Sequence, residues 1–219
     1  MMKTRASLLI VNYFLGYEIL YPLLTYLLLA SEFYVFTIPT IIALAITVLL
    51  VIPKLREDFK KTKVGKLLVS GILQTLLMFG IIVVIAVIFT GLGIEDNSLN
   101  QKLLEEYFAK PEFRLIISLM ILFFAPLVEE SVFRFALASL ISKNKVLFVV
   151  VSALLFGAVH LVEGMITGDF ADLLNIAYYG LLGVLLALNY LRHDENLWYP
   201  IIAHMLYNGV QLWLMNLLL

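Results

Sequence analysis

The apolar run from Leu8 to Ala30 holds one charged residue, Glu18. It is longer than the apolar part of a secretion signal, about 7–15 residues, although Leu29-Ala30-Ser31 offers small residues of the kind found at cleavage sites. About 20 apolar residues cross the hydrocarbon layer as an α-helix, and inside lipid every backbone N–H and C=O must be paired within the protein. The run is therefore read as an uncleaved first helix. Six further runs of this kind follow, and the expected spans are 8–30, 34–53, 66–92, 114–141, 146–162, 173–191 and 197–218. The expected fold is all-α: a polytopic transmembrane bundle of about seven helices with a polar intramembrane cavity. No internal repeat, low-complexity tract or soluble domain breaks the pattern, so residues 1–219 read as a single membrane-embedded domain.

Composition narrows the partners. The chain is 63% hydrophobic and 14% charged, with mean hydropathy +1.01, where soluble domains carry about 25% charged residues. A net charge of −1 provides no basic field, which argues against nucleic acid and leaves membrane lipids as the surroundings. The absence of cysteine excludes disulfides, thiolate zinc sites and a cysteine nucleophile.

Lys and Arg fall in alternate loops: Lys3 and Arg5, then Lys54 to Lys66, then Lys143 and Lys145, then Arg192. The opposite loops carry Glu32, then Glu95, Asp96, Glu105 and Glu106 among few bases, then Glu163, Asp169 and Asp172. The basic side is expected to be cytoplasmic, with the N-terminus inside and the C-terminus outside. Between the third and fourth spans, Ser98 and Gln101 fit a capping box, and Leu99, Leu103, Leu104, Tyr107 and Phe108 recur at helical spacing. This predicts a short helix on the outer leaflet ended by Pro111, completing an N-terminal part, 1–113, ahead of the core spans 114–219. An ordinary loop helix packed on the bundle explains the same pattern.

The stretch Phe123 to Phe135 places Glu129, Glu130 and Arg134 within six residues of an apolar run. A charge near the bilayer centre costs roughly 2.5–3.5 kcal/mol on insertion scales, so such groups pair, line water or do chemistry. Glu130 and Arg134, at i and i+4, face each other on a helix, while Glu129 lies about 100° away. Arg134 can hold Glu130 as support, leaving Glu129 as the reactive carboxylate. A purely structural intramembrane salt bridge is the alternative. Pro126, one turn upstream, removes a backbone donor and can open the helix beside the glutamates. Glu18, mid-span beside Tyr17, reads as a structural carboxyl hydrogen-bonded across helices.

Two of the three histidines fall in predicted spans. Phe156 and His160 share a face, with small residues between them that permit close helix approach, and His204 shares a face with Asn208. A carboxylate and an imidazole to activate water, with donors for a tetrahedral oxyanion, suit peptide hydrolysis. Other intramembrane chemistries lack their motifs: there is no H-E-x-x-H and no G-x-S-x-G, and Gly91-Leu92-Gly93 is followed by Ile94 rather than Asp.

Glu129-Glu130-x-x-x-Arg134, Phe156-x-x-x-His160 and His204-x-x-x-Asn208, in this order, resemble the CPBP family of type II CAAX prenyl endopeptidases and bacteriocin-processing or immunity proteins. The resemblance covers about the C-terminal half. It implies a prokaryotic plasma-membrane endopeptidase acting on a peptide or lipid-modified protein, with no cofactor. It further implies that Glu129 and His160 activate water, that His204 and Asn208 form the oxyanion hole, and that Glu130, Arg134 and Phe156 support them. Two alternatives stay open: a zinc protease with Glu129, His160 and His204 as ligands, and a self-immunity or regulatory scaffold without proteolysis.

Overall fold

The computed structural model describes residues 2–29, 32–93, 98–141, 144–168 and 172–218. Ala30, Ser31, Glu95, Asp96, Lys143 and Asp169, each assigned above to a junction or loop, lie outside the described residues, as do the side chains of Glu32, Glu163 and Asp172. The described chain is a bundle of helices: α1 (2–29), α2 (Glu32–Lys61), α3 (Val64–Leu92), α4 (Leu99–Ala109), α5 (Pro111–Ile141), α6 (Lys145–Val159), α7 (Val162–Thr167), α8 (Ile176–Arg192) and α9 (Trp198–Leu218). A 3₁₀ turn, Asp172–Asn175, leads into α8. Five of these helices, in α1, α2, α3, α5 and α8, are long and apolar enough to cross a membrane; α6 is apolar but shorter. The seven expected spans all appear as helices, with shifted ends.

The polarity of the bundle is that of a lipid-embedded protein. Leu28, Leu49, Val87 and Leu115 are among the most exposed side chains, while Asn12, Glu130, Arg134 and Ser152 are buried. In lipid the buried polar groups must find partners inside. Asn12 on α1 donates to the Ala43 carbonyl and to Thr47 Oγ1 on α2, each at 3.2 Å. Where α6 meets α8, a Cβ added at Gly183 would lie 3.0 Å from Ala153 Cα, so a larger residue would push the two helices apart by a few tenths of an ångström.

Three expectations need correction. The basic segment 54–66 is not a loop: α2 runs through Pro53 to Lys61, and only Thr62 and Lys63 stand between α2 and α3. Lys54 pairs with Asp58 at 2.8 Å, and the Leu197 amide and the Trp198 indole donate to Asp58 and to the Leu55 carbonyl, tying this extra length to the start of α9. The helix α4 ends at Ala109, and Pro111 instead opens α5. Ser98 caps α4 by accepting from the Gln101 amide at 3.2 Å, while the Gln101 side chain turns to Glu105. Leu103, Leu104 and Tyr107 of α4 line a cavity of the bundle.

Two of the helices depart from α geometry. In α1 the segment Val11–Leu20 is π-helical, as are Met120–Phe124 and Ser131–Ala136 in α5. In a π-helix the backbone bonds run between i and i+5, and such insertions gather at functional sites.

Candidate active site

Glu129 and Glu130 close the short α-helical stretch Ala125–Glu130 between the two π-helical parts of α5. Their surroundings differ completely. Glu130 is fully buried: its carboxylate meets Arg134 Nε at 2.8 Å and accepts from His204 Nδ1 at 3.0 Å. Arg134, also fully buried, donates from Nη1 to Ser152 Oγ at 2.9 Å, and its guanidinium lies 4.9 Å from the centre of the Phe156 ring. Ser152 passes the bond on to the Phe133 carbonyl, so α5, α6 and α9 are joined through one charged network.

Glu129 has no such anchor. Its Oε2 is buried without a hydrogen-bond partner, and the nearest base is His204 Nε2 at 4.0 Å. A carboxylate oxygen left unpaired inside a protein is costly, and one that lines a cavity is placed to meet a ligand or water.

Both imidazoles have a fixed tautomer in their neutral form, because carboxylate and carbonyl oxygens only accept. His204 Nδ1–H donates to Glu130, which leaves Nε2 toward Glu129. His160 caps the end of α6, donating from Nδ1 to the Phe156 carbonyl at 2.7 Å and leaving its own Nε2 unengaged by that bond. Its ring is sandwiched between Phe156 and Tyr179, stacked on the latter at 4.4 Å.

Asn208, one turn beyond His204 on α9, donates from Nδ2 to the Ile121 carbonyl at 2.8 Å. The reason for this partner lies in α5. In the π-helical segment the Ala125 amide reaches back five residues to the Met120 carbonyl. The equivalent donor for Ile121 would be residue 126, which is proline and has no N–H. Asn208 supplies the hydrogen that Pro126 lacks, and keeps its second amide hydrogen.

Glu129, His160, His204 and Asn208 line one cavity of about 360 Å³ together with Phe156, and α4 forms part of its wall. Sequence reading missed much of this lining. Tyr13, Tyr17 and Glu18 reach it from α1, and Tyr178 and Tyr179 from α8. Glu18, expected to bond across helices, lies in the same π-helical segment of α1 as Tyr13 and lines the cavity with it. The available signal was the repeated placing of tyrosine in spans. A hydroxyl on a membrane helix is there to be bonded, as Ser98 with Tyr179 and Tyr178 with Tyr207 are.

A zinc site would need Glu129, His160 and His204 as one ligand set. Among the described residues no three His, Cys, Asp or Glu side chains stand together so as to hold a metal ion. The residues present do not form a zinc site in this arrangement.

Membrane-length apolar helices surround a cavity that gathers a carboxylate, two imidazoles and an amide, the class of an integral membrane protein with a polar intramembrane site. A match to the family described as Type II CAAX prenyl endopeptidase Rce1-like covers residues 111–210, a little under half of the chain. It spans α5 to Val210 in α9, including all seven predicted site residues, and leaves α1 to α4 outside. No curated protein and no solved structure matches the chain.

Proposed function

We propose that this protein is an intramembrane endopeptidase that hydrolyses a peptide bond with water activated by Glu129. The observation that carries the reading is the split between the two neighbouring carboxylates. Glu130 is spent on Arg134 and His204, while Glu129 presents an unpartnered oxygen to the cavity. In this reaction Glu129, assisted by His160, takes a proton from water as its oxygen attacks the peptide carbonyl carbon. The developing oxyanion accepts from Asn208, through its second amide hydrogen, and from His204. The latter role requires hydrogen on Nε2 as well as Nδ1, that is, the imidazolium form. The proton taken by Glu129 passes to the leaving nitrogen as the C–N bond breaks, giving an acid and an amine. The basic ends of α2 and α3 lie on the cytoplasmic side in this reading.

The test is hydrolysis of a fluorogenic peptide library by the purified protein, followed by Glu129→Gln, which keeps shape and removes the base. Cleavage by wild type and its loss in Glu129→Gln support the proposal. Unchanged cleavage by Glu129→Gln refutes it, and an inert wild type whose cellular role survives Glu129→Gln favours the scaffold reading.

A further inference from the structure

A second concavity, of about 350 Å³, lies between the start of α3 and the end of α8, away from the candidate active site. Lys66 and Arg192 flank it with His193, and Val69, Leu73 and Leu77 continue it along α3 as an apolar strip. These three apolar side chains are exposed, as is Lys66, whereas Gln74 and Asn189, which also line the groove, are 7% and 2% exposed. Gln74 Nε2 and Asn189 Oδ1 are both buried with no hydrogen-bond partner. Of the six such side-chain atoms among the described residues, three belong to the Glu129, Glu130 and Arg134 cluster and two to this groove.

An unpaired amide donor and an unpaired amide acceptor, both more than nine-tenths buried, call for a ligand that offers an acceptor and a donor. Two cations at one end call for an anion, and a strip of leucine and valine calls for hydrocarbon. One molecule has all of these in that order. We propose that the α3–α8 groove binds a single anionic phospholipid. Its phosphate sits between Lys66 and Arg192 beside Ser70, and its acyl chain runs over Val69, Leu73 and Leu77. Gln74 lies eight residues, about 12 Å, along α3 from Lys66, at the depth of the lipid's ester carbonyls rather than its headgroup. Its amide hydrogen meets such a carbonyl, and a headgroup hydroxyl satisfies Asn189. His193 frames the site: it donates from Nδ1 to the Asn189 carbonyl at 2.9 Å, contacts Ser70 through Nε2 at 3.3 Å and stacks on Tyr199. The groove lies at the basic end of the bundle, where anionic lipid headgroups are drawn to Lys and Arg.

The test uses the full-length protein in phosphatidylcholine nanodiscs doped with phosphatidylglycerol, reading retained lipid by native mass spectrometry after detergent release. Wild type should retain one phosphatidylglycerol in preference to phosphatidylcholine. Lys66→Gln combined with Arg192→Gln should weaken that retention about thirtyfold, from about 1 kcal/mol per cation near the headgroup. Gln74→Leu, which leaves the charges in place, should weaken it too. The pair Lys60→Gln and Lys61→Gln, on α2 outside the groove, should leave it unchanged. The proposal is overturned if the two lipids are retained equally, if the α2 pair loses lipid as the groove pair does, or if inorganic phosphate alone displaces the lipid at matched ionic strength.

Discussion

Removing either of two adjacent carboxylates should have opposite consequences for stability. Glu130→Ala leaves the Arg134 guanidinium buried with only Ser152 and the Phe156 ring for company, and it also frees His204 Nδ1. Breaking a buried, hydrogen-bonded ion pair by deleting one member costs about 3–5 kcal/mol, because the survivor remains charged and desolvated. At about 2–4 °C per kcal/mol for a chain of this size, the melting temperature should fall by about 6–20 °C. Glu129→Ala removes an oxygen that has no hydrogen-bond partner, and its neighbour His204 keeps Glu130, so no charge is stranded and the melting temperature should hold or rise slightly. Activity is lost in both, for different reasons. Glu129→Ala should abolish turnover in protein that folds normally, and Glu130→Ala should lose activity along with the fold. Glu130→Gln, which keeps an oxygen for His204 Nδ1, should fall between. The assay is thermal unfolding in one detergent, read by intrinsic fluorescence, with peptide cleavage on the same samples. A larger loss of stability in Glu129→Ala than in Glu130→Ala would show that the roles are reversed.

Other perturbations probe the remaining parts. Asn208→Ala should lower kcat by about 10²–10³ with little change in KM, the loss typical of one oxyanion donor, whereas equal drift in both constants would mark a purely structural amide. Asn208→Asp should be inactive at neutral pH, since an ionised carboxylate cannot donate and would face the Ile121 carbonyl oxygen. Pro126→Ala returns a backbone N–H to the segment that Asn208 now serves; a fall in kcat smaller than that of Asn208→Ala is expected, and an unchanged kcat would separate the proline from the amide. Exhaustive treatment with a zinc chelator should leave cleavage intact, and loss restored by added zinc would reinstate the metal reading. Burial holds the His193 imidazole below its usual pKa, partly offset by its bond to the Asn189 carbonyl, so the fold favours the neutral ring. That contribution is complete above about pH 6.5 and is lost as pH falls through the lower folded value. His193→Gln should therefore flatten the decline of melting temperature on acidification, and an equally steep decline would refute the link.

What the sequence made legible follows from what charge and length can reveal. Runs of apolar residues marked every long helix, because lipid leaves a spanning chain little else to form. The pairing of Glu130 with Arg134 was readable because i,i+4 spacing is local, and both appear fully buried and in contact. The end of α2 was misread because basic residues beyond Pro53 look like a loop, while Lys54 with Asp58 and Glu57 with Lys61 are also the i,i+4 pairs that extend a helix into water. The contact of Glu130 with His204 joins residues 74 apart and has no local signature. The contributions of Tyr13, Tyr17 and Glu18 were hidden for a related reason: the motifs lie in the C-terminal half, and nothing in the first span says which face of it meets them.

The π-helical turns are the deepest layer that periodicity could not reach. A reading at 3.6 residues per turn assigns each side chain a face, and each π insertion rotates everything after it relative to that assignment. All three insertions contribute to this centre: Tyr13, Tyr17 and Glu18 stand on the first, Met120, Ile121 and Phe124 on the second, and Arg134 on the third. In α5 the proline and the π turn act as one device. A proline in a regular helix would orphan the carbonyl four residues back; here the i→i+5 register shifts the missing bond to Ile121, on the helix wall that faces α9. That carbonyl then holds Asn208, while Glu130, nine residues further on, holds His204 of the same helix. The two proposed oxyanion donors are thus positioned from a single helix that also carries Glu129. In the proposed mechanism the base and the two donors thereby share one frame, set by α5 against α9.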